Sequence, residues 1–84
     1  MVTDFTVDDL DLIYILVPND SGVGTANLAV SDMSSKQFRD WVAAKAEIER
    51  VSMIVPEGRI DLETRLHMLN RLQREGVKIH KLGG

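Results

Sequence analysis

The feature that most narrows what this chain can become is the apolar run Leu12-Ile13-Tyr14-Ile15-Leu16-Val17, which follows Asp11 and stops at Pro18. A short run rich in Ile, Val and Tyr suits a β-strand better than a helix. It does not alternate with polar residues, so it predicts a strand covered on both faces, as at the centre of a sheet. Pro18-Asn19-Asp20-Ser21-Gly22-Val23-Gly24 then gathers nearly every turn-forming residue type. Thr25 to Val30 follows with Ala26, Leu28 and Val30 alternating against Thr25, Asn27 and Ala29, a period of two that predicts a second, half-buried strand paired with the first as a hairpin.

Ser34-Ser35-Lys36-Gln37 has the capping-box pattern, with Ser34 as N-cap and Gln37 reaching back to its amide. Met33 and Phe38 are placed to form a hydrophobic staple across that cap. Phe38, Trp41, Val42, Ala44 and Ile48 give an apolar side to a helix over about 35–49, interrupted by Lys45 and Glu49. Val51-Ser52-Met53-Ile54-Val55 fits either a continuation of that helix or a short buried strand, and its β-branched content favours the strand. A second helix begins near Asp61, carries Leu62, Leu66, Leu69 and Leu72 on one face with Met68 beside them, and stops at Gly76. Val77 to Leu82 alternates as a final edge strand, with Val77 and Ile79 in and Lys78 and His80 out.

The order strand, strand, helix, short strand, helix, strand predicts one α+β domain over residues 1–84. It would hold a single-layer sheet of three to four strands with both helices on one face. Residues 1–10 are a candidate loosely ordered segment. With 84 residues, 44% of them apolar, the chain is large enough for one thin core. Having no cysteine, it can form neither disulfides nor a thiolate metal site, which suits a reducing compartment. No apolar run reaches the roughly 18–20 residues that span a bilayer, and the start is acidic where a signal peptide is basic. The expectation is a cytoplasmic protein that does not enter a membrane.

The net charge of −3 conceals a gradient. Residues 1–33 carry six aspartates and no Lys or Arg, whereas residues 57–84 carry six basic residues against four acidic ones. The two ends either steer a charged partner or lie side by side and neutralise one another. The second arrangement is the simpler in one small domain.

Catalytic patterns are sparse. His67 and His80 lie in different elements without metal-ligand spacing, the serines read as turn, cap or strand residues, and adjacent Asp8 and Asp9 on an extended segment would point apart. Gly22-Val23-Gly24-Thr25 after a buried strand suggests a phosphate loop. The required helix and lysine do not follow, and a hairpin loop accounts for it. No enzyme, cofactor or metal is expected. Arg65 is unusual because it falls inside the leucine stripe of the second helix. There it must pair with a carboxylate, most simply an N-terminal aspartate, or anchor an interface.

The reading these features support is a small intracellular protein without enzymatic activity that binds a macromolecule, a protein first. It would act as an inhibitor or regulator of the kind carried by phages and other mobile elements. The residues nominated for partner binding are Asp8, Asp9, Asp20, Arg65, His67, Arg71, Arg74 and Lys78. Self-association through a strand edge is an accompanying expectation. The alternative is a nucleic-acid-binding regulator using the basic C-terminal third, Arg71, Arg74, Lys78 and Lys81 among it.

A third reading comes from the tail. Lys81-Leu82-Gly83-Gly84 after a predicted strand, with a hairpin and helix at the start of the chain, resembles the ubiquitin-like and sulfur-carrier proteins. That resemblance implies a carrier whose terminal carboxylate is activated by adenylation. A full helix directly before the last strand departs from that family's pattern.

Overall fold

The computed structural model describes residues 3–82. Its order is a 3-10 turn at Val7–Asp11, strand β1 (Tyr14–Pro18), strand β2 (Thr25–Ala29), a second 3-10 turn at Val30–Asp32, helix α1 (Ser35–Ile48) and helix α2 (Leu62–Arg74). This is a small α+β arrangement with two helices, as the sequence predicts, but among the described residues the sheet has two strands and not three or four. β1 and β2 pair antiparallel, with Tyr14 opposite Ala29 and Pro18 opposite Thr25. The turn between them is closed by Asn19, whose N–H donates to the Gly24 carbonyl and whose side-chain amide donates to the Val23 carbonyl.

Residues 51–55 are neither strand nor helix, and residues 77–82 form no strand either. The reason lies in where their main-chain groups go. The Ser52 carbonyl accepts from Arg71 at 2.8 Å, and the Pro56 and Gly58 carbonyls accept from Arg39. Guanidinium groups thus take acceptors that a neighbouring strand would have used. In the last segment, one backbone bond joins the Leu82 N–H to the Leu12 carbonyl at 2.7 Å.

α1 begins as its capping box predicts. The Gln37 N–H donates to Ser34 Oγ at 3.0 Å, and the Ser34 N–H donates to Gln37 Oε1 at 2.9 Å. Its buried face is Phe38, Val42 and Ala46, with Trp41 half-buried, while Ala44 and Ile48 are exposed. The apolar stripe therefore follows the i, i+4 spacing more narrowly than the sequence suggests. α2 starts on Asp61, whose carboxylate accepts the Thr64 N–H at 2.8 Å, and it buries Arg65, Met68, Leu69 and Leu72. Leu62, expected on the same face, is exposed in the first turn.

Both helices end in a Schellman motif. In α2 the Val77 N–H donates to Leu72 O and the Gly76 N–H to Gln73 O, with Gly76 at φ 100°. In α1 the Val51 N–H donates to Ala46 O and the Arg50 N–H to Glu47 O, but the left-handed position is filled by Arg50 at φ 58°. An L-residue there carries a cost of about 1–2 kcal/mol that glycine avoids. Arg50→Gly is expected to raise stability by about 0.5–1 kcal/mol, read as a higher urea midpoint at unchanged m-value. A lower midpoint would show that the Arg50 side chain contributes more than its backbone costs.

α1 packs against β1, and α2 packs against α1 and the first 3-10 turn. Between them lies one core built on Leu10, Ile13, Val17, Val30, Phe38, Val42, Ile60, Leu69 and Leu72, all essentially inaccessible. Residues 3–10, a candidate loose segment from sequence, contribute buried Phe5 and Leu10 to this core. Asn70 holds Phe5 by both ends of its amide, accepting the Phe5 N–H at 2.7 Å and donating to the Phe5 carbonyl at 3.1 Å. The Gln73 amide donates to the Thr3 carbonyl at 2.9 Å.

Candidate functional site

Arg65 is 6% exposed, and two of its guanidinium nitrogens bond within the fold. Nε donates to Ile60 O at 2.9 Å, and Nη1 donates to Val30 O at 2.7 Å and Met33 O at 2.8 Å. Its carbon Cζ stands 5.5 Å above the Phe38 ring. Three carbonyls, and not the N-terminal aspartate expected from sequence, are its partners. Burial lowers its pKa from the usual arginine value, with neighbouring Arg59 adding to the same effect. With Nε and Nη1 bonded to core carbonyls and the residue 6% exposed, Arg65 belongs to the core.

The other nominated residues are scattered. Asp9 accepts the Thr6 N–H at 2.8 Å and the Lys81 ammonium at 3.2 Å, Asp20 accepts from Ser34 Oγ at 3.1 Å, and Arg74 pairs with Asp4. The acidic start and basic end of the chain therefore lie side by side, as the charge gradient allows. Asp8 and Lys78 are exposed on separate segments. Only His67 and Arg71 come together, on the outer face of α2, where they line a groove of ≈ 360 Å³ with Ser52, Met53, Ile54 and Met68. Ile54 in that groove's wall is 93% exposed. Among the described residues no cluster of three His, Asp or Glu side chains could hold a metal ion, and no helix is long and apolar enough to cross a membrane. The Gly83-Gly84 tail lies outside the described residues.

The Thr6 N–H, helped by Lys81, holds the Asp9 carboxylate below its ordinary pKa against the opposing effect of desolvation. A carboxylate with a depressed folded-state pKa adds stability that is complete above its unfolded value, about 3.9, and is lost as pH falls through the folded value. Asp9→Asn is therefore expected to be destabilising at pH 6 and to converge on the parent protein as the pH drops below about 4. Urea titrations at the two pH values check this, and a difference independent of pH would place the effect elsewhere.

A surface not selected from sequence is the outside of β1. Ile13, Ile15 and Val17 face the core, but the opposite face is bare, with Tyr14 45% exposed and Leu16 65% exposed. The expectation of a strand covered on both faces is corrected here: β1 has one covered face and one free edge. The Val30 N–H donates to Ile13 O and the Asn19 N–H to Gly24 O, so the odd-numbered residues of β1 bond to β2. The even-numbered residues turn their N–H and C=O groups outward, and the Leu12 carbonyl meets Leu82 there. Past that rung the C-terminal segment diverges, leaving an open groove of ≈ 440 Å³ between Ile13–Leu16 and Lys78–His80, with Trp41 and Lys45 also lining it. Unbroken hydrophobicity in a strand beside a turn was the available signal. It marked the strand but could not tell an internal neighbour from an external one.

No family model, curated protein or solved structure matches this chain.

Proposed function

We propose that this protein is a binding module that regulates a protein partner by occupying it, without turning over a substrate. The carrying observation is the bare apolar face of β1 formed by Tyr14 and Leu16, in a strand whose composition suits burial on both sides. Contiguous apolar surface rimmed by polar groups is characteristic of interaction sites. The cations of the C-terminal third support a nucleic-acid surface less well, because Arg65 is buried and Arg74 and Lys81 are paired with Asp4 and Asp9.

The test is a tagged pull-down from nuclease-treated lysate, run in parallel with Leu16→Glu. A protein captured in stoichiometric amount at moderate salt, and reduced by Leu16→Glu, is the expected result. Recovery of nucleic acid alone when nuclease is omitted would overturn this reading in favour of the basic third.

A further inference from the structure

We infer that the groove between β1 and residues 78–80 takes an extended acidic peptide of the partner as an added strand, antiparallel or parallel to β1. This rests on the binding function proposed above and names the surface and the chemistry of what it holds. Two sets of groups on the two sides of the groove carry it.

The first set is the main chain of β1. Tyr14 and Leu16 direct their N–H and C=O groups away from β2, by the alternation that Ile13, Asn19 and Leu82 fix. An incoming strand satisfies four such groups over three residues, a span of about 7 Å. The edge also lacks the guards that usually prevent strand addition. Within β1 there is no lysine and no inward-pointing charge, and the one proline, Pro18, stands at its far end.

The second set is the charge around the groove. Lys45 comes from α1 and Lys78 and His80 from the C-terminal segment, and no Asp or Glu lines the groove with them. In a chain of net charge −3 this is a local reversal of sign. Lys78 and His80 are exposed while Val77 is buried and Ile79 half-buried, so along the outer wall polar and apolar side chains alternate, with Lys78 supplying the charge. A strand with matching alternation would set apolar side chains toward Trp41 and Ile79 and carboxylates toward the cations.

A second copy of this chain fits less well. Its own β1 is joined to β2 and carries the same Lys45 and Lys78 beside its open edge, so like charges would meet across a two-fold axis. A single extended segment needs only the width of one strand.

The experiment uses the ¹⁵N-labelled full-length chain and the synthetic peptide acetyl-(Glu-Val)₄-amide, with acetyl-(Lys-Val)₄-amide as the charge-reversed control. Saturable amide shifts are expected at Tyr14, Leu16 and residues 78–80 with the Glu-Val peptide, and at least tenfold weaker binding with the Lys-Val peptide. Leu16→Pro removes one outward N–H at an edge where proline is tolerated, since the groups bonded to β2 belong to odd-numbered residues. It is expected to keep the circular dichroism and melting curve of a folded protein while weakening the peptide at least tenfold. Lys45→Glu combined with Lys78→Glu provides a second variant that leaves the backbone untouched, with the same expected loss.

Equal binding of both peptides, or shifts confined to other surfaces, would overturn the inference. So would slow amide exchange at Tyr14 and Leu16 in the free protein, whether from dimers seen by sedimentation or from residues 78–82 closing onto β1. If lysate capture persists in Leu16→Pro and in the double lysine variant, the binding function stands and this groove is not its seat.

Discussion

Replacing Arg65 with alanine is expected to cost about 3–5 kcal/mol, against less than about 1 kcal/mol for Arg71→Ala. Hydrogen bonds to a charged group contribute roughly 1.5–3 kcal/mol each, and Arg65 makes three, to Ile60, Val30 and Met33. They share one guanidinium, so their losses do not add in full. What remains after truncation is the greater problem: the Ile60 and Met33 carbonyls lose the Arg65 donor, and Val30 O keeps only the 3.4 Å bond from the Met33 N–H, in a site with little access to water. Arg71 makes one bond, to Ser52, from an exposed position where water can replace it. At roughly 4–8 °C per kcal/mol for a domain of this size, Arg65→Ala should lower the Tm by more than about 12 °C. Arg65→Lys should rescue little, because an ammonium lacks the planar fork that reaches acceptors on both sides. Equal melting temperatures for Arg65→Ala and Arg71→Ala would mean that the carbonyls find other donors, and the structural role assigned to Arg65 would fall.

The second large effect is expected at Phe38. Its ring is fully buried, tilted at 37° to Trp41 with centroids 6.2 Å apart, and lies beneath the Arg65 guanidinium. Phe38→Ala removes most of a large side chain from the middle of the core and should cost about 3–5 kcal/mol. A domain of this length commonly has only about 4–13 kcal/mol in total, so the variant would stand near the limit of folding. Phe38→Leu keeps most of the apolar contact while removing the ring face, and should lose no more than about 1.5 kcal/mol from packing. Any excess over that figure measures the cation–π contact with Arg65. Denaturant titration of both variants distinguishes these contributions, and similar costs for alanine and leucine would contradict the packing account.

How much of this architecture the sequence disclosed depended on whether the relevant interaction is local. The Ser34–Gln37 box, the Asp61 cap, the Gly76 stop and the hairpin turn are settled by residues within five positions of one another, and each is found where its pattern predicts. Arg50 as the stop of α1 was not legible, because a left-handed residue without glycine has no compositional sign. The two extra strands expected at 51–55 and 77–82 were wrong for a different reason. Their β-branched residues mark extended chain correctly, but whether extended chain becomes sheet depends on what meets its main chain. In residues 51–55 the Arg71 side chain meets it at Ser52, and in residues 77–82 the backbone is met by the end of α2 at Val77 and by Leu12 at Leu82. Of the cations that suggested an interface in sequence, Arg65 and Arg71 bond to main-chain carbonyls, and Arg74 and Lys81 pair with Asp4 and Asp9. The β1 groove escaped notice because its cations lie on α1 and on the C-terminal segment, more than thirty residues apart in sequence.

The stitching of residues 3–5 onto α2 also sets an order of events in folding. Asn70 bonds to Phe5 across 65 positions, and Gln73 and Arg74 reach Thr3 and Asp4 across 70. Phe5 is therefore seated only when α2 is in place. The hairpin and the Ser34 cap close through short loops, whereas contacts that close so long a loop form late. Docking of residues 3–5 on α2 is thus a closing step of this fold, and a chain lacking α2 would leave that side of the hairpin and α1 uncovered.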